Sequence, residues 1–152
     1  MKVLLKQLRD ELVMPLIRRP RPLQMAALCL RERRGEREVL LVTSRGTGRW
    51  ILPKGWPEKG LEGVGSALQE AWEEAGVKRA SASAVPVGKY LSTKRHDSGL
   101  DYPCDVVVYE VEVLELAKDY PERDQRRRVW VSPAEASRMV EEPGLKAILA
   151  GL

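Results

Sequence analysis

The chain predicts an α/β fold in which a mixed central sheet carries helices on both faces. Three observations point there. Apolar runs of strand length at Met25–Leu30, Val39–Thr43, Val85–Leu91 and Cys104–Leu114 alternate along the chain with helix-forming segments. Ser66–Ala75 consists of good helix formers and ends at Gly76, a residue suited to a left-handed stop. Ser132-Pro133 opens a further helix after a strand at Val129–Val131, and Glu141–Gly144 separates it from a short terminal helix.

From the N-terminus, Leu4, Leu5, Leu8 and Leu12 recur at near-helical spacing up to Pro15. They predict a short amphipathic helix that packs on the domain or makes a homodimer contact. Arg18-Arg19-Pro20-Arg21-Pro22 is a stiff, basic connector. Residues 1–20 are thus read as helix and connector, and residues 21–152 as the domain. Lys6, Arg9, Asp10 and Glu11 interrupt the N-terminal apolar run too early for a signal peptide. No stretch approaches the roughly 20 apolar residues of a membrane span. A cytoplasmic protein without membrane contact is expected.

Met25–Leu30 and Val39–Thr43 are joined by Arg31–Glu38, a mixed-charge link around Gly35 that reads as an exposed hairpin connection. Ser44-Arg45-Gly46-Thr47-Gly48-Arg49 follows. Its glycines let the backbone approach an anion, and Arg45 and Arg49 can grip phosphate oxygens bidentately. Pro53-Lys54-Gly55 ends the next strand, with Lys54 a further candidate phosphate ligand. Cys104–Leu114 alternates over its latter half, so one face there is wet. Lys94–Gly99 is a polar loop long enough to overhang a site. His96, the sole histidine, has no Cys or His partner nearby and is expected in solvent. Arg126-Arg127-Arg128 is expected to face water, with one of the three within reach of a polyphosphate tail.

With 152 residues, 43% hydrophobic and 32% charged, the composition is that of one soluble globular domain. A net charge of +4 does not demand a nucleic-acid partner and suits polyanionic small molecules. Cys29 and Cys104 lie in apolar runs and read as buried thiols in a reducing compartment.

The acids of the central helix carry the chemistry. Glu70, Glu73 and Glu74 stand at i, i+3 and i+4, so they share one face in the last turns, at the negative end of the helix dipole. Like charges at i,i+4 cost roughly 0.2–0.5 kcal/mol each. An anion at a C-terminus costs roughly 0.3–1 kcal/mol. No Lys or Arg within the helix offsets them, whereas a dication would, since Mg²⁺ prefers a few carboxylates with waters and phosphate oxygens.

Gly55 through Val77 resembles the Nudix hydrolase signature: Gly, five residues, Glu, seven residues, then Arg-Glu-apolar-any-Glu-Glu-any-Gly-apolar. The match falls on Gly55, Glu70, Ala71, Glu73, Glu74, Gly76 and Val77, with Leu61 and Gln69 in place of the Glu and Arg that support the metal ligands. Trp50–Pro57, Tyr120-Pro121-Glu122, Arg127–Trp130 and Ser132–Ala136 are similar to the diphosphoinositol polyphosphate phosphohydrolase branch. The resemblance implies an α/β/α sandwich and a Mg²⁺ (or Mn²⁺) site at Glu70, Glu73, Glu74 and the Gly55 carbonyl. It also implies hydrolysis of a pyrophosphate bond in a nucleoside or inositol diphosphate linked to another group. Glu70 or a residue of another loop would serve as base, with Arg45, Arg49 and Lys54 on the phosphates. Two other classes compete: a Nudix-fold module that binds a phosphorylated ligand without cleaving it, and a nucleic-acid binder using the Arg-rich stretches. The intact Glu trio speaks against the first; the second predicts salt-sensitive binding that changes to those Glu residues would leave intact.

Overall fold

The computed structural model describes residues 21–95 and 99–152. The expected N-terminal helix, most of the connector and His96 lie outside the described residues. β1 (Leu23–Arg33) and β2 (Glu36–Thr43) form an antiparallel hairpin that runs well into the charged link. There Arg31 faces Glu38, Glu32 faces Arg37 and Arg33 faces Glu36 across the ladder. Opposite charges thus pair strand to strand. Only Arg34 and Gly35 remain as the turn, with φ of +54° and +78°, as a two-residue I′-type loop requires. The link is an exposed hairpin, as expected, with its strands extending through all but Arg34 and Gly35.

β3 (Trp50–Ile51) pairs with β2, and β4 (Lys54–Gly55) with the start of β1. β5 (Val77–Ala82), β6 (Gly88–Arg95), β7 (Asp101–Leu116) and β8 (Arg128–Val131) complete the sheet. Its order is β3-β2-β1-β7-β5, with β4 beside β1, β6 beside β7 and β8 beside β2. The β1–β7 pair is parallel and the other pairs antiparallel, so the sheet is mixed as predicted.

β1 is buried on both faces, and its two-residue period divides the core. Ala26, Leu28 and Leu30 pack with Leu145 and Leu149 of α3 (Pro143–Ala150) and Ala136 of α2 (Pro133–Met139). Met25, Ala27 and Cys29 pack with Ala67, Ala71 and Ala75 of α1 (Gly63–Ala75). Helices therefore cover both faces, which is an α/β/α sandwich. The small Ala positions let α1 sit close to the sheet.

Two strand assignments differ from expectation. Val85 and Val87 are 70% and 49% exposed, and β6 begins only at Gly88. β5 went unpredicted because Lys78, Arg79 and Ser81 dilute its apolar pattern; it pairs with β7 through a shifted register. Cys29 and Cys104 are buried and free. Among the described residues, no helix is long and apolar enough to cross a membrane.

Candidate metal and phosphate site

β4 and α1 bracket the loop that builds the site. The Leu61 N–H donates to the Glu58 carbonyl at 3.1 Å, and Gly60 takes a φ of +82° between them. The Glu58 N–H donates to the buried Ser66 Oγ at 2.9 Å, which ties the turn to the first turns of α1. Glu58, Glu70 and Glu73 then each present a carboxylate oxygen, all within 4.8 Å of one another. A Cβ at Gly55 would overlap the Glu70 carboxylate, so a larger residue there would push that acid out of its present position.

The sequence grouped Glu70, Glu73 and Glu74; the structure lines one recess of about 400 Å³ with all three and adds Glu58. Glu58 stands within the closest trio of oxygens, and sequence reasoning did not assign it. Its proximity to Gly55 in the same short loop was the available signal. Glu74 is engaged beside the trio. It is 4% exposed, its Oε2 accepts the Lys54 N–H at 3.1 Å, and its Oε1 lies 3.1 Å from Arg126 Nη2.

Burial pushes the Glu70 carboxyl up to about 7, and the neighbouring Glu74, Glu73 and Glu58 add to the rise. Burial likewise pushes Glu74 up to about 7, against the lowering influence of Arg126 and the Lys54 N–H. Crowded carboxylates of this kind resist ionisation until a cation joins them. An all-oxygen, anionic donor set in an open recess fits a hard dication such as Mg²⁺ or Mn²⁺.

Of the triplet expected to face water, Arg127 is exposed while Arg126 and Arg128 turn inward. Arg126 is buried and binds Glu74, Glu122 and the Thr43 carbonyl. Arg128 donates to the carbonyls of Ala75 at 2.7 Å and Ala117 at 3.0 Å, while lying over the Tyr120 ring. Arg127 lies over the Trp50 ring. Positive charge absent from within α1 thus arrives from the β7–β8 connection, and the acids have a protein counter-charge that the local sequence does not reveal.

A second recess of about 290 Å³ is lined by the candidate phosphate ligands Arg45, Arg49 and Lys54, together with Lys94 and Arg126. It shares Arg45, Lys54, Glu74, Lys94 and Arg126 with the acidic recess, so the two are continuous. The Arg45–Arg49 loop is held by the Gly48 N–H to the Ser44 carbonyl at 3.0 Å and by Gly46 and Gly48 at φ of +90° and +68°. Arg45 is exposed and donates to Gln125 at 2.9 Å. Lys54 is buried and donates to Gln24 at 3.2 Å. Burial, with Lys94 nearby, lowers its ammonium to about 8. Gln69, in the family's Arg position, donates to Glu73 Oε1 at 2.9 Å, whereas Leu61 is half exposed.

An α/β/α sandwich with adjoining acidic and cationic recesses is the architecture of a Nudix-type hydrolase. The sequence matches the NUDIX domain over residues 22–151. The chain belongs to the NUDIX domain family and is an enzyme of the Nudix phosphohydrolase type. It is 30% identical over 118 residues to diphosphoinositol polyphosphate phosphohydrolase 3-beta of Homo sapiens, covering 76% of this chain and 67% of that protein. It is 27% identical to diphosphoinositol polyphosphate phosphohydrolase 2 of Mus musculus, covering 76% and 61%. Among solved structures, the C. elegans Ap4A hydrolase superposes with a TM-score of 0.60 at 15% identity, covering 86% of this chain and 95% of that one. The NUDIX domain of Shewanella oneidensis NrtR, complexed with ADP ribose, gives 0.61 at 18%, covering 93% and 96%. The structural neighbours share the fold.

Proposed function

We propose that this enzyme is a Mg²⁺-dependent hydrolase, with Mn²⁺ as an alternative metal. Its substrate would carry a pyrophosphate bond of the diphosphoinositol polyphosphate or dinucleoside polyphosphate type. The observation that carries this reading is the continuity of the two recesses: carboxylates in one, cations in the other, with Lys54, Glu74 and Arg126 between them. Glu58, Glu70, Glu73 and the Gly55 carbonyl would hold the ion, with Glu74 beside them. When bound, a dication neutralises phosphate oxygens, polarises phosphorus and lowers the pKa of an attacking water. Arg45, Arg49 and Lys54 bind and orient the phosphates, with Lys94 and Arg126 reinforcing them. Glu70, or a residue of another loop, would serve as the base that takes the proton of the attacking water. The relatives' names favour the inositol substrate class over the nucleoside class. A cytoplasmic setting keeps Cys29 and Cys104 reduced.

The test is a phosphate-release panel with Mg²⁺ over diphosphoinositol polyphosphates, diadenosine polyphosphates, ADP-ribose and nucleoside triphosphates. Turnover of at least one member, abolished in Glu73→Gln/Glu74→Gln, is expected. No turnover above that control would leave a ligand-binding module as the better reading.

A further inference from the structure

Among the described residues, nearly all buried side-chain atoms that lack a hydrogen-bond partner gather in one place. Arg49 Nε, Tyr90 OH, Ser92 Oγ and both Glu142 oxygens belong to residues lining one cavity of about 540 Å³. That cavity adjoins the cationic recess, with Arg49 and Thr93 bordering both. Glu142 is the least expected member. It stands at the N-cap of α3, where side chains normally bond the helix, yet it makes no cap hydrogen bond and is only 7% exposed. A Cβ at Gly144 would come within 2.8 Å of Tyr90 Cβ, so glycine there lets Glu142-Pro143-Gly144 lie directly on β6.

Turning a carboxylate inward without hydrogen bonds is costly unless cations compensate. The cations here belong to the phosphate wall. Glu142 Oε1 lies 3.9 Å from Arg49 Nη1, and Glu142 favours the Lys54 ammonium more strongly than Glu74 does. Among the described residues, the Arg49 guanidinium also meets the Thr93 carbonyl at 3.4 Å and Glu141 at 3.6 Å. Glu141 is 67% exposed, and an exposed pair of that kind is screened by solvent and contributes little. The buried anion is the contact able to fix the guanidinium.

We infer that Glu142 is a positioning residue, whose buried carboxylate holds Arg49 in the place where it meets substrate phosphate. The inference rests on the proposed hydrolase reading for what Arg49 does, but the placement of Arg49 is measurable without turnover.

Glu142→Gln, Arg49→Gln and the double variant of the full chain are compared on a substrate from the panel, with thermal melts as the check on folding. Glu142→Gln is expected to lower kcat about tenfold while KM changes less than about threefold, a contact-sized coupling. Glu142→Asp, which keeps the charge, should recover most of the loss. In the Arg49→Gln background, Glu142→Gln should cost nothing more; a merely structural role would add its loss in both backgrounds. Additive losses, or a Glu142→Gln enzyme within about twofold of wild type, overturn the inference. Independently of activity, ¹⁵N NMR reads solvent exchange of the Arg49 Nε–H, assigned with Arg49→Lys. Slow exchange in the wild type, accelerated in Glu142→Gln, is expected. Exchange in the wild type as fast as that of exposed arginines overturns the inference even if the variant folds poorly. A panel without turnover, together with slow exchange, would instead fault the hydrolase reading alone.

Discussion

At the scale of single residues, Glu58 is what makes the acidic stripe a candidate metal site, because it brings a third carboxylate to Glu70 and Glu73. It enters the site because Ser66 accepts its N–H and Gly60 closes the turn beneath it. Glu62, four residues on, is exposed at the N-cap of α1 and makes no cap bond. If the proposed ion sits among Glu58, Glu70 and Glu73, Glu58→Gln should weaken Mg²⁺ binding about tenfold, while Glu62→Gln changes it less than about twofold. Titration calorimetry reads both, and equal effects would place the ion elsewhere. Gln69 supplies a second test. By donating to Glu73 it supports that ligand where the family carries Arg. Gln69→Ala should therefore weaken Mg²⁺ binding by roughly three- to tenfold. The pair Leu61→Glu/Gln69→Arg should raise Mg²⁺ affinity if the family's support is the stronger one, and unchanged affinity would show that Gln69 already suffices.

At the scale of elements, α1 shows what the chain discloses by itself and what it does not. Its acidic stripe, its Ala-rich docking face and its left-handed stop at Gly76 (φ +71°) follow the 3.6-residue period and glycine's freedom, so they are legible in sequence. The partners of its C-terminus are not, because Arg126 and Arg128 arrive from some fifty residues downstream. Nothing in a run of three arginines says that two of them turn inward. The same reason hid β5, whose placement depends on β7 rather than on its own pattern. Arg45, Arg49 and Lys54 could be picked out because glycines and a strand end mark their loop, whereas Lys94 joins them only through the pairing of β6 with β7. Arg128 makes the prediction at this scale. Its two charge-assisted bonds satisfy carbonyls at the end of α1 and at Ala117. Arg128→Ala should cost about 2–3 kcal/mol in urea unfolding with an unchanged m-value. Arg127→Ala, which forfeits only its position over the Trp50 ring, should cost on the order of 0.5 kcal/mol.

At the scale of the whole molecule, the buried acids couple metal, protons and stability. Glu70 and Glu74 each titrate at about 7 in the folded protein, above the ordinary carboxylate range they regain on unfolding. Between about pH 4.5 and 7 the folded state therefore holds protons that the unfolded chain has released, and the metal-free protein loses stability as pH rises through that window. Below it both states are protonated; above it the loss is complete. A dication needs the ionised acids, so it binds with proton release and is disfavoured where they remain protonated. Saturating Mg²⁺ should then raise the melting temperature by several degrees near about pH 7.5 and far less near about pH 5.5. Glu70→Gln, which carries no proton to lose, should flatten the pH dependence of the metal-free melt and reduce the Mg²⁺ shift at the higher pH. Scanning calorimetry at the two pH values, with Mg²⁺ and with a chelator, separates the outcomes. Equal Mg²⁺ shifts at both pH values, or a wild-type protein that gains stability relative to Glu70→Gln as pH rises, would mean that these acids neither store the protons nor hold the ion.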